Sequence, residues 1–352
     1  MKKHKVLMIG PARSVHGGIS GVVNNYYEAG LDEKITLKYI GTMVDGSKVR
    51  KLLQAGWAYL QFLFVLSRYD IVHVNMASDV SYLRKSFFVK AAKRRRKKIV
   101  LHQHGGDFEG YYAGLCEEKK KKARELLNMA DVFVALTPVA KSFFETLVEP
   151  EKIVVLPNAI QIPELSMKQY GQHKLLFLGR ICKEKGMREL FAVMPRLKER
   201  YPDVMLYLGG VFEEESLCLT AQEHADCITH LGWISGKEKE AWLRECDIFV
   251  LPTYFEGQPV SVLEAMAYGC AVAATPVGGI PGMITRDVTG VLMPPKEEEA
   301  LYEAIVRLLE DAEFCKMLGT NARQKAAKEF SMEEIMKQLL AIYDSQCGKR
   351  EV

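Results

Sequence analysis

Short apolar runs of three to five residues recur along the chain, and between them apolar side chains return every three or four positions. Continuous apolar runs are what a strand needs when helices cover both faces of a parallel sheet. In the first half such runs predict strands over Lys5–Ile9, Thr36–Ile40, Ile71–Asn75, Ile99–His102, Val132–Leu136 and Ile153–Leu156. In the second half they predict strands over Leu175–Leu178, Val204–Leu208, Ile228–Leu231, Ile248–Leu251, Ala271–Ala274 and Val291–Met293. The intervening stretches read as amphipathic helices: Ile19, Val22, Val23, Tyr26 and Tyr27 share one face, as do Leu190, Val193, Met194, Leu197 and Tyr201. Strand–helix–strand alternation given twice implies an α/β chain of two doubly wound domains. The segment Ala159–Gln172 has little periodicity and reads as the linker. Met332–Tyr343 is amphipathic again and follows Ser331, a suitable N-cap.

Length agrees with two domains, since 352 residues exceed the usual domain of about 100–200. Charge divides the halves: residues 1–165 hold 26 Lys and Arg against 16 Asp and Glu, the remainder 22 against 28. The net +10 of the first part points to an anionic partner there, a nucleic acid or a membrane surface. Eight cysteines stand singly between Cys116 and Cys347 with no C-x-x-C pair, the pattern of reduced thiols in a cytosolic protein. The N-terminal apolar run, Val6–Ile9, is too short for a signal-peptide core. The longest apolar stretch, Leu52–Leu66, falls short of the roughly 20 residues of a membrane span. These features predict a cytoplasmic protein with at most peripheral membrane contact.

Four loops at strand ends carry candidate chemistry. The loop Gly10–Ile19 joins a strand to a helix, and Gly17–Gly18 lets the backbone approach an anion at the helix start. It does not fit G-x-G-x-x-G, and a plain tight turn explains it as well. The segment Leu101–Asp107 carries His102 and His104, which are expected to point to opposite faces, so that at most one faces a cleft. A hydrogen-bonded core pair is the other reading, and no His/Cys cluster completes a zinc site. In Leu178–Gly186, Arg180 and Lys185 bring a fork and a point charge that suit a diphosphate, or are solvated loop charges. The loop after Ile248–Leu251 is the most specific. It places Glu256 before a helix start, Gly257, Gln258, Val260 and Ser261 around the free N–H groups of that start, and Glu264 near the second turn. One loop thus supplies a sugar-facing acid, a phosphate cradle and a ribose clamp.

These sites in this order resemble the retaining GT-B glycosyltransferases of family four, over nearly the whole chain. The strongest element is the E-x7-E pattern, Glu256 to Glu264, within EGQPVSVLEAMAYG; FLGRICKEKG, VLPNAI, GWIS and TPVGGIP match independently. The resemblance implies two facing Rossmann-like domains with a cleft between them: 1–160 on the acceptor side and 173–330 binding the nucleotide sugar. Residues 331–352 then form a C-terminal helix for which packing back on the first domain is one option. It implies that Glu256 contacts the donor sugar and Glu264 the ribose, that Arg180 and Lys185 hold the diphosphate, that Gly17 and Gly18 contact the distal phosphate, and that His104 is the cleft histidine. One departure from the family is Gly282, where Glu often follows GGIP.

The expected activity is transfer of a sugar with retention from a nucleoside diphosphate sugar to a saccharide or lipid-linked acceptor, in bacterial cell-surface polysaccharide or glycan synthesis. UDP is favoured on family grounds alone. The expected reaction uses no cofactor and, for want of a D-x-D motif, no metal. Alternatives are a GDP-mannose-dependent mannosyltransferase, a GT-B nucleotide-sugar epimerase, or an idle binding subunit. The run Arg84–Lys98 holds nine Lys and Arg and no acid. It reads as a solvated helix face or as a site for anionic lipid; nucleic acid is disfavoured because no binding motif accompanies it.

Overall fold

The computed structural model describes residues 4–105, 107–164 and 168–347. The chain forms two compact units: one of residues up to Ala159 together with the last helix, Met332–Cys347, and one spanning Ile160–Ser331.

The first unit holds strands β1 (Lys5–Gly10), β2 (Thr36–Gly41), β3 (Ile71–Met76), β4 (Lys98–Gln103), β5 (Val132–Ala135) and β6 (Ile153–Val155), in the order β2-β1-β3-β4-β5-β6. The second holds β7 (Lys174–Leu178), β8 (Met205–Gly209), β9 (Ile228–Gly232), β10 (Ile248–Leu251), β11 (Ala271–Ala274) and β12 (Val291–Leu292), in the order β12-β11-β10-β7-β8-β9. Every pairing is parallel, so each strand returns through a crossover. All twelve expected strands are present, with no end shifted by more than one residue.

Burial explains why the apolar runs are continuous. Every residue of β3, β5, β10 and β11 is buried, so neither face of these strands reaches water. Amphipathic helices close the faces: Met187–Arg200 buries Leu190, Phe191, Val193, Met194 and Leu197 in the second core. The last helix packs in the first unit, where the Tyr343 hydroxyl lies 2.6 Å from His73 Nδ1 of β3.

The expected linker does not hang free. From Ile160 onward it packs with the second unit: Ile160 bridges Ser331, and Tyr170 donates to the Gly269 carbonyl at 2.8 Å. The apolar and aromatic side chains in this stretch hold it down; residues 165–167 of it lie outside the described residues.

Candidate active site

In the second unit the C-terminal ends of β7 and β10 lie side by side, because the two strands pair directly. After β7 the chain passes Gly179, at φ 155°, and presents Arg180, whose Nη1 donates to both Glu213 oxygens at 3.0 Å. A short turn, Lys183–Lys185, follows and stops at Gly186, at φ 71°, where the helix Met187–Arg200 begins. The loop after β10 is stitched to that turn. Tyr254 N–H donates to the Glu184 carbonyl at 2.8 Å and Thr253 Oγ1 to the same oxygen at 3.2 Å. The stitching brings Lys185 Nζ onto Glu256 Oε1 as a hydrogen-bonded ion pair, both side chains mostly buried.

Two glycines make this approach feasible. A Cβ at Gly186 would overlap the Pro252 carbonyl oxygen. A Cβ at Gly278, at φ 54° in TPVGGIP, would overlap the carbonyl oxygen of Glu256 itself. Both positions also need the left-handed backbone that glycine adopts without strain. Motifs that are far apart in sequence therefore converge on the loop that carries Glu256.

Beyond Gln258 and Pro259, both buried, the helix Val260–Ala267 starts with no side-chain cap. The N–H groups of its first turn have no partner within the helix, and its dipole favours an anion there. Gly257, Val260 and Ser261 are half-buried at this start. Glu264 lies one turn further on, and its Oε1 accepts from Lys239 Nζ at 2.5 Å. The sequence reading did not find Lys239. It sits in the charge run of the helix Gly236–Glu245, where nothing local separates a site lysine from a solvated one; its place just after the GWIS motif was the only signal.

In the first unit Gly17 precedes the helix Gly18–Glu28 in an extended conformation, and a Cβ on Gly17 or Gly18 would meet no atom within 4 Å. The fold's own packing does not require glycine here; the space above the helix start is open. His104 lies one residue past β4, fixed by its N–H on the Met76 carbonyl at 2.7 Å and by Nε2 on Asn75 Oδ1 at 2.9 Å. The Asn75 oxygen accepts, which assigns the proton to Nε2. Burial, then His73 and Lys85, push its pKa down to about 3, so the ring is neutral at ordinary pH.

Two sequence expectations are corrected. His102 and His104 do not face apart: their ring centroids are 4.0 Å from each other. Residues two apart along an extended chain share a face, and the pairing with β3 continues past β4 through His104 N–H on the Met76 carbonyl, so both rings lie on one side. The run Arg84–Lys98 is not a single solvated face. Lys85 is fully buried without a hydrogen-bond partner, and burial with the neighbouring Arg84 charge pushes its pKa down to about 7. Its exposed basic residues come later in the run, at Lys90, Lys93, Arg94, Arg95, Arg96 and Lys98.

Residues 172–311 match the family described as glycosyl transferases group 1, and residues 25–162 match glycosyltransferase family 4. The chain is 27% identical over 325 residues, 91% of this chain and 80% of the relative, to the N,N'-diacetylbacillosaminyl-diphospho-undecaprenol alpha-1,3-N-acetylgalactosaminyltransferase of Campylobacter jejuni. It is 28% identical over 178 residues to an uncharacterized glycosyltransferase of Methanocaldococcus jannaschii, covering 50% of this chain but only 45% of that relative. Among solved structures, sucrose-phosphate synthase from Thermosynechococcus elongatus superposes with a TM-score of 0.80 at 19% identity, over 97% of this chain and 99% of the other. Anabaena HepE in complex with UDP and glucose gives 0.77 at 16% identity, over 97% and 100%. These two likenesses carry the fold.

Proposed function

The chain belongs to the group 1 glycosyltransferases and has the GT-B type of fold, and on that premise we propose that it transfers a sugar from a UDP-sugar to a saccharide or lipid-linked acceptor in polysaccharide synthesis, with retention at the anomeric carbon and without a metal ion. The observation that carries this reading is the Lys185–Glu256 contact. A cation suited to a diphosphate adjoins an acid suited to a sugar, and the bond to be broken joins those two groups. Arg180 and the N–H groups of Val260 and Ser261 take the remaining phosphate charge, and Glu264, aligned by Lys239, accepts from the ribose hydroxyls.

In the proposed step the bond from the anomeric carbon to the diphosphate oxygen breaks, and its electron pair leaves with UDP. The acceptor oxygen bonds to the same face of that carbon and passes its proton to a diphosphate oxygen. Positive charge grows on the sugar and negative charge on the leaving group, so Glu256 and the Lys185–Arg180 cations stabilise the transition state more than the ground state. In the first unit, Gly17 and Gly18 offer open N–H groups to a phosphate, and neutral His104 offers a polar edge to a sugar.

The solved HepE complex with UDP and glucose supports UDP, and the Campylobacter transferase's name supports a lipid-linked acceptor. A thermal-shift screen against UDP- and GDP-sugars tests the donor, since binding to the folded state raises its apparent stability. A UDP-sugar is expected to give the largest shift; a shift with GDP-mannose alone overturns the assignment to UDP. Turnover is expected to survive EDTA, and NMR of the product to give the anomeric configuration of the donor; loss of activity restored by manganese, or an inverted product, removes the corresponding part of the proposal.

A further inference from the structure

The helix Lys48–Val65 of the first unit is apolar on both sides. Its inner side buries Ala58 and Phe62 completely. Its outer side exposes Val49, Leu52, Leu53, Trp57, Leu60 and Phe64, each between 58% and 75% exposed. At 3.6 residues per turn these six fall within an arc of about 140°, opposite the buried face. A surface helix ordinarily turns charged residues outward, and a helix apolar all round is a buried one. Scattered exposed apolar residues need no explanation, but a contiguous patch marks a contact surface.

The patch continues onto the helix Asp79–Arg94. The Phe88 ring packs 5.3 Å from Tyr59 and 5.0 Å from Phe62, locking the two helices together, and Leu83 and Phe87 stand out at 57% and 62% exposure. Lys90 and Arg94 extend the row of Leu83 and Phe87 along the same helix face. From Gly46 to Tyr69 the chain has no acid, while Lys48 and Arg50 flank the apolar face and Arg68 follows the helix. An open groove of about 430 Å³, lined by Val49, Arg50, Leu53 and Trp57 among others, is cut into it.

We propose that this surface seats the first unit on an anionic lipid bilayer. The 18-residue helix lies in the plane of the headgroups, its outer apolar side chains in the acyl boundary and its basic flanks among the phosphates. Trp57, with an apolar body and one N–H donor, suits that depth. Among the described residues no helix is long and apolar enough to cross a membrane, so the contact is peripheral. Charge selects the bilayer over a second copy of this chain. Two such faces closing on each other would bring basic flanks together with no acid between them, whereas an anionic surface complements them. The contact is distinct from the transfer reaction, and its test needs neither donor nor acceptor.

Flotation of the full chain with phosphatidylglycerol–phosphatidylcholine vesicles is expected to recover most of the protein, and pure phosphatidylcholine at least tenfold less. Leu53→Glu with Trp57→Glu is expected to reduce recovery at least tenfold with an unchanged melting temperature, since both side chains are exposed. Lys90→Glu with Arg94→Glu is expected to reduce it less and to lessen its dependence on salt. Vesicles with brominated acyl chains are expected to quench tryptophan fluorescence in the native chain and not in Trp57→Phe, because Trp233 and Trp242 belong to the other unit. Equal recovery with neutral vesicles, undiminished binding by the Leu53/Trp57 variant, or quenching that survives Trp57→Phe overturns the proposal. So does a dimer in ultracentrifugation that this variant abolishes while vesicles fail to bind.

Discussion

Glu256 and Glu264 are eight positions apart, and each is held by a different lysine, Lys185 and Lys239. Their proposed partners behave differently during reaction. A ribose keeps its charge, so Glu264 contributes equally to ground and transition states. Glu264→Gln is therefore expected to raise the donor KM with little change in kcat, by about 1–3 kcal/mol. Lys239→Met, which removes the residue aligning Glu264, is expected to do the same by about 1 kcal/mol, roughly fivefold. Beside the reacting sugar charge does develop, so Glu256→Gln is expected to lower kcat and kcat/KM together while donor affinity is kept. Steady-state kinetics with calorimetric donor affinities separate the cases. Loss of donor binding in Glu256→Gln with loss of kcat alone in Glu264→Gln would reverse the two roles.

At the scale of loops and helix starts, glycines do two different jobs. Gly186 and Gly278 sit at positive φ with a neighbouring carbonyl oxygen where a Cβ would go. Gly186→Ala and Gly278→Ala are expected to lower the melting temperature, the backbone conformation alone costing about 1–2 kcal/mol, and to lower activity because both disturb the Glu256 loop. Gly17 and Gly18 have open space instead, and Gly17 is extended. Gly17→Ala and Gly18→Ala are expected to leave the melting temperature of the free protein unchanged or slightly higher and to reduce the stabilisation by UDP. Thermal melts with and without UDP check both pairs. A drop in the unliganded melting temperature of Gly17→Ala as large as that of Gly278→Ala would remove the distinction.

At the scale of the whole molecule the units differ in buried titratable groups. The first unit holds His73, with its pKa pushed down to about 3 by burial, His104, down to about 3, and His102, pushed down by burial and its neighbours. Unfolded histidines take up protons near pH 6.5, whereas these do so only far lower. Between those limits the unfolded state binds more protons, so stability is full above about pH 6.5 and falls as pH drops toward 3. The slope is about 1.4 kcal/mol per pH unit for each fully buried histidine. Calorimetry from pH 7.5 to 4.5 is expected to show the transition of the first unit moving down more than that of the second. Parallel shifts of both transitions would count against the buried histidines as the cause.

All twelve strands and the residues of both lysine–glutamate pairs lie in the sequence, but they were not equally legible there. Strands were legible because covering both sheet faces demands unbroken apolar runs, a local property of Val250 or Ala273. The Glu256–Glu264 spacing was legible because one helix start fixes it. Which lysine meets which glutamate was decided by tertiary structure, since pairing β7 with β10 is what lays Lys185 against Glu256. The same holds for Lys239, whose neighbours in sequence are other charges, and for His104, whose partner Asn75 comes from β3. Lys85 reads as one more cation of a basic run, and packing alone buries it. Periodicity gives which residues of an element share a face; which face meets a core and which is left to a partner depends on where the element docks, and the helix Lys48–Val65, apolar on two faces, could have presented either.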